Sequence, residues 1–142
     1  MEYIAILSRA AMPVRHSGVE YPEPEEVPMQ YLIQIYTGEA MEQWQRLSES
    51  EQESISQEYF AISDEPGVTG GAQLQPPETA TTVRIRDGRM LTTDGPFAAT
   101  KEALGGYYLF EADDLDAAIE LASRVPAARL GGAVEVRPLV PR

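Results

Sequence analysis

The sequence predicts an α+β fold, a ferredoxin-like antiparallel sheet with two helices on one face. Three observations predict it. Strand-like runs open, centre and close the main part of the chain, at residues 29–36, 106–111 and 133–138. A stretch with helical spacing follows each of the first two. Between these halves stands Asp87-Gly88, a two-residue hairpin signal flanked by alternating apolar and polar residues.

Met29-Gln30-Tyr31-Leu32-Ile33-Gln34-Ile35-Tyr36 reads as the first strand, ended by Gly38. Met41, Trp44 and Leu47 recur three apart, as on one helix face. Ser48-Glu49-Ser50-Glu51 has capping-box spacing, so a helix restarts there, with Ile55, Tyr59 and Ile62 as its apolar stripe. Glu49, Glu51 and Glu53 lie near its positive end, where carboxylates are favoured, and read as a solvated face. Pro66-Gly67 breaks the helix, and residues 68–73 form a weak strand marked by Gly70 and Gly71. Residues 79–86 form a stronger strand, which returns antiparallel as 89–93. After the aromatic strand 106–111, Asp113 or Asp114 caps a helix carrying Leu115, Ala118, Ile119 and Ala122, and Pro126 closes it. Gly131-Gly132 leads into the last strand, with Val134 and Val136 alternating.

The order is therefore β-α-β-β-β-β-α-β, and without the Asp87-Gly88 hairpin it holds the two β-α-β halves of a ferredoxin-like sheet. Two helices cover one side of such a sheet only. A second copy of the same sheet is the simplest cover for the other, so a symmetric homodimer is expected.

Residues 1–28 differ in character. Tyr3–Leu7 could make one short strand, but Pro13, Pro22, Pro24 and Pro28, among Glu20, Glu23, Glu25 and Glu26, disfavour a packed core. They read as an extended N-terminal arm before a domain at 29–142.

Composition excludes several function classes. The chain has 142 residues and no cysteine, which removes disulfides, thiolate metal sites and cysteine nucleophiles. Its 23 acids against 11 bases give a net charge of −12, which repels phosphate backbones and anionic lipid, so neither nucleic acid nor membrane is an expected partner. No apolar run approaches the ~20 residues of a membrane span, and the acidic start does not read as a secretory signal. A cytoplasmic protein is expected. Gly105-Gly106 does not follow the strand–Gly-x-Gly-x-x-Gly–helix pattern, so no nicotinamide or flavin cofactor is expected.

The block Thr93-Asp94-Gly95-Pro96-Phe97, followed by Thr100-Lys101-Glu102 and Leu104-Gly105-Gly106-Tyr107-Tyr108, resembles the signature of the DGPF group of YCII-related proteins. Leu74-Gln75-Pro76-Pro77, Asp113-Asp114-Leu115-Asp116-Ala117-Ala118, and Pro126 with Val134-Glu135-Val136-Arg137-Pro138 extend the resemblance over residues 29–140. The resemblance implies a dimeric α+β barrel with a cleft between sheet and loops. It also implies frequent encoding beside alternative RNA polymerase sigma factors, and the broader group is associated with a histidine–aspartate pair. The only histidine is His16, in the arm, so that pair is missing from its expected place. Serine–histidine triads and histidine-rich zinc sites fall with it, and no metal site is expected.

Asp94 is the best single candidate for catalysis, as an acid or base if burial raises its pKa. It is equally a turn residue bonding the amides of Gly95-Pro96. Arg84, Arg86, Arg89 and Lys101 stand out as cations in an acidic chain. Arg84 and Arg86 share one strand face and could hold an anion by forked hydrogen bonds, or decorate an exposed hairpin. Tyr36, Phe97 and Tyr107 could form an aromatic wall around a small ligand, or belong to the core or a dimer interface. Three functions follow: a dimeric small-molecule-binding or accessory protein, an enzyme using Asp94 on a small organic substrate, and an acidic protein-interaction module tied to sigma-factor regulation.

Overall fold

The structure, a computed structural model, describes residues 28–97 and 102–141. The arm with Tyr3–Leu7 and His16, and the candidate Lys101, lie outside the described residues. The strands are β1 (Met29–Tyr36), β2 (Val68–Gln73), β3 (Thr81–Arg86), β4 (Arg89–Asp94), β5 (Leu104–Ala112) and β6 (Ala133–Pro138). The helices are α1 (Ala40–Arg46), α2 (Glu49–Ser63), α3 (Leu115–Ser123) and α4 (Pro126–Arg129).

One four-stranded sheet runs β2-β5-β1-β6, with every neighbouring pair antiparallel. The connection β1–α2–β2 passes over β5, and β5–α3–β6 passes over β1. This is the interleaved pair of β-α-β units that the sequence predicts. The hairpin β3–β4 forms a separate two-stranded sheet inserted between the halves.

Strand alternation decides which face is core. On β1, Tyr31, Ile33 and Ile35 are buried, and on β5 so are Tyr108, Phe110 and Ala112. They meet Ile62 of α2, Ala118, Leu121 and Ala122 of α3, and Val125 and Ala127 around α4. All helical contributions to the core reach this one face. Leu32, Gln34 and Tyr36, with Tyr107 and Leu109, occupy the other.

Several details differ from the sequence reading. The stripe Met41, Trp44, Leu47 is not what anchors α1: Met41 is exposed, and the buried residue is Ala40 at the first position. On α3, Leu115 and Ile119 face out while Ala118, Leu121 and Ala122 pack inward, so the buried stripe runs through 118, 121 and 122 and continues to Val125. Pro126 does not end the layer. It opens α4 at a helix start, where a missing N–H is harmless, and is fully buried. The third strand begins at Thr81 rather than Thr79, because Pro77–Thr79 close a 3-10 turn in which Thr79 Oγ1 donates to the Pro76 carbonyl.

Ser48 is the N-cap of α2 as its spacing predicts, with Oγ accepting from the Glu51 amide at 3.2 Å. Asp114, rather than Asp113, caps α3, accepting from the Ala117 amide at 2.9 Å. In the hairpin, Asp87 and Gly88 both take positive φ, 53° and 74°, the pattern of a primed turn.

Candidate functional site

The cleft arises where the sheet is thinnest. Edge strand β2 carries Gly71-Ala72 alongside Gly105, Gly106 and Tyr107 of β5. These positions are small because the backbones come close: a Cβ on Gly106 would sit 2.9 Å from the Ala72 carbonyl, and one on Gly105 would strike Thr37 Cγ2. Small residues below and large ones above leave space. Helix α2 supplies Ser56, Tyr59, Phe60 and Ser63 as the roof, and Ile35, Thr37 and Tyr108 close the inner wall. The cleft has a volume of about 310 Å³.

Its walls are fixed by hydrogen bonds. Tyr108 donates its hydroxyl to the Tyr59 carbonyl at 3.0 Å, and Ser63 Oγ donates to the same carbonyl at 3.2 Å. At the mouth, the Leu74 amide donates to the Gly105 carbonyl at 2.9 Å and the Thr37 amide to the Ala103 carbonyl at 3.0 Å. Among the described residues, none of the lining side chains carries a charge at neutral pH. An ion entering it would lose hydration without a counter-charge, at a cost of several kcal/mol, so the cleft suits neutral molecules.

Burial pushes the Tyr59 hydroxyl above its ordinary value of 10.0, and does the same to Tyr108. Both groups hold their protons more tightly folded than unfolded. The stability they contribute is thus full below about pH 10 and is lost as pH rises through the raised values. Urea midpoints should be level to about pH 9.5 and fall above it, and the double variant Tyr59→Phe/Tyr108→Phe should remove most of that fall. An equal fall in the double variant would assign it to other groups.

Among the described residues, the structure brings Arg84 to Phe97 but does not gather the sequence candidates into one site. Tyr107 borders the cleft by its place in β5, with its side chain on the helix-free face. Tyr36 lies on the helix-free sheet face, its hydroxyl donating to Glu135 Oε2 at 3.4 Å. Arg84 sits on the hairpin with its guanidinium 4.6 Å from the Phe97 ring centroid, a cation–π distance. Arg86 shares that hairpin side with Arg84, as alternation predicts, and faces Arg89 across the pair. Asp94 pairs with Thr81 at the hairpin's base, on the opposite side from Arg84 and Arg86. The turn after it is tied by the Gly95 amide donating to the Ala80 carbonyl at 2.7 Å and Thr82 Oγ1 donating to the Gly95 carbonyl at 2.8 Å.

Sequence reading missed Ser56, Tyr59, Phe60 and Ser63 as one roof, because a cleft between a helix and an edge strand has no contiguous motif. The available signal was the two glycine pairs, 70–71 and 105–106, on neighbouring strands, with Gly70 and Gly71 opposite Leu109 and Tyr108 and Gly106 opposite Gln73. Among the described residues, no group of three or more histidines, cysteines or acids could hold a metal ion. No helix among them is long and apolar enough to cross a membrane.

Comparison with known proteins agrees with this architecture. The YCII-related domain matches residues 29–141. An uncharacterized protein of Rhizobium meliloti (strain 1021) is 36% identical over 117 residues, covering 78% of this chain and 92% of that protein. With the match spanning both β-α-β halves and the inserted hairpin, the chain belongs to the YCII-related family.

Proposed function

We propose that this YCII-related protein, of the DGPF type, is a cytoplasmic homodimer with a small-molecule-binding or accessory role. Its ligand is a neutral organic compound held in the cleft between α2 and the β2–β5 edge. The observation that carries this reading is the cleft itself. It is apolar at Ile35, Phe60 and Tyr108, offers hydroxyls at Ser56 and Ser63, and has no charged side chain among the described residues. Pockets of this kind use an apolar wall for affinity and a few polar groups for orientation.

Ser56 is half-buried at the roof, and a tryptophan there fills the cleft from the solvent side. A thermal-shift screen of neutral aromatic and aliphatic compounds against the wild type and Ser56→Trp tests the reading. A compound at ~100 times its dissociation constant stabilises by roughly 2.7 kcal/mol. The shift is expected in the wild type and absent in Ser56→Trp. Equal shifts in both proteins, or hits confined to anions, would count against it.

A second surface favours a protein contact as well. Val83, Ile85 and Met90 stand exposed on one side of the hairpin, outside the cleft.

A further inference from the structure

We infer that the arginine side of the β3–β4 hairpin is an anion site. It takes the phosphoryl group of a small organic phosphate and rests the apolar body of that ligand on Leu91 and Phe97. The site is separate from the cleft and independent of the neutral ligand proposed there.

Register divides the hairpin into two unlike sides. Val83, Ile85, Met90 and Asp94 stand on one. The other carries Thr82, Arg84, Arg86, Arg89, Leu91 and Thr93, with no acid. Outside residues 81–94 the chain holds 8 bases and 21 acids, a net charge of −13, so three cations on one side of one ribbon are a local inversion of sign. Arg86 and Arg89 are directly opposed across the ladder, beside the turn. Like charges so placed destabilise a strand pair. Arg84 lies two residues from Arg86, roughly 7 Å along the strand, so all three guanidinium groups can converge on one ligand.

Their hydrogen-bond donors are free. Arg124, Arg129 and Arg137 are paired with acids of their own chain, whereas no ion pair joins Arg84, Arg86 or Arg89 to an acid among the described residues. Arg84 is instead positioned by the Phe97 ring, 4.6 Å away. A ring attracts the cation without an acceptor lone pair, so the five N–H groups of Arg84 stay available. The turn that presents Phe97 is fastened to the start of β3 twice, through the Gly95 amide to the Ala80 carbonyl and through Thr82 Oγ1 to the Gly95 carbonyl. Phe97 is 74% exposed despite its contact with Arg84, which leaves ring surface open to a ligand.

Charge and shape select the occupant. One carboxylate takes the fork of one arginine and neutralises one of three charges. A phosphoryl group brings nearly two negative charges and three acceptor oxygens, and so relieves the Arg86–Arg89 repulsion as well. The acidic remainder of the chain repels extended polyanions, which restricts the occupant to a compact one.

Amide chemical-shift titration of the full chain with phenyl phosphate at low salt tests this. Saturable shifts are expected at Arg84, Arg86, Arg89, Leu91 and Phe97, with Ser63 and Gly71 of the cleft unmoved. Arg86→Gln/Arg89→Gln should bind at least ~10-fold more weakly and should not lose stability, because it removes a repulsive pair. Phe97→Ala should weaken phenyl phosphate about 3- to 10-fold and leave inorganic phosphate unchanged. Affinity should rise as pH passes about 6, where the phosphoryl group loses its second proton and arginine does not titrate. No saturable shift on the hairpin, or equal affinity in the double glutamine variant, would overturn the site. Octaglutamate moving the same amides at lower concentration than phenyl phosphate would overturn the ligand class and assign this side to an acidic protein segment.

Discussion

Replacing Ile33 with alanine should lower the free energy of unfolding by about 2–5 kcal/mol, the range for emptying a well-packed aliphatic site. Ile33 is fully buried on β1, paired with Tyr108 of β5 on one side and Val136 of β6 on the other. Strands β1 and β5 are the two central strands, so its side chain lies where both β-α-β units cross. The surrounding backbone is held by ladders on both edges and cannot collapse into the void. Urea denaturation should show a lower midpoint with an unchanged slope, which reports lost stability rather than a changed unfolded state. Leu115→Ala is the matching control, since Leu115 is half exposed on α3, and should cost within about 0.5 kcal/mol. Similar losses at both positions would mean that the core is not centred on β1.

Gly67→Ala should cost about 2–4 kcal/mol, although it adds a single methyl group. Gly67 turns the chain from α2 into edge strand β2 with φ at +94°, a conformation that L side chains rarely adopt. A Cβ there would lie 2.5 Å from the Glu111 carbonyl and 2.9 Å from the Phe110 ring. The Glu111 amide also donates to the Gly67 carbonyl at 2.8 Å, so the turn cannot swing away without losing a bond to β5. Because β2 is also the floor of the cleft, the variant should weaken ligand binding as well as stability. Gly88→Ala separates conformational strain from crowding: Gly88 has φ at +74° but no atom within 4 Å of its absent Cβ. It should lose only the conformational part, about 1–2 kcal/mol. Equal losses at both glycines would show that crowding at Gly67 contributes nothing.

The sheet was legible because its signals are local and redundant. Tyr31, Ile33 and Ile35 alternate with Leu32, Gln34 and Tyr36, Ser48 and Glu51 are spaced for a cap, and Asp87-Gly88 is a turn pair. Each depends on near neighbours, and all point to one fold. The helix faces were less legible. Leu115 and Ile119 have the periodicity of a core stripe, but the buried stripe is Ala118, Leu121, Ala122 and Val125, which has the same spacing, and periodicity alone does not choose between the two. Asp94, Arg84 and Arg86 drew notice because charge and turn chemistry are conspicuous in sequence. A cleft made by absent side chains is not conspicuous. Gly71 read only as the mark of a weak strand and Gly105-Gly106 as the opening of an aromatic one, yet the missing Cβ atoms of Gly71 and Gly106 let β2 close on β5, that of Gly105 makes room for Thr37, and all three line the space under Tyr59 and Phe60.

The most direct measurement is amide chemical-shift mapping of the full chain during titration with a neutral compound from the thermal-shift screen. The account predicts saturable shifts concentrated at Ser56, Phe60, Ser63, Gly71, Gly105, Gly106 and Tyr107, which surround one cleft and come from three separate elements. Shifts centred instead on Arg84, Arg86 and Asp94, or spread evenly over the surface, would contradict it.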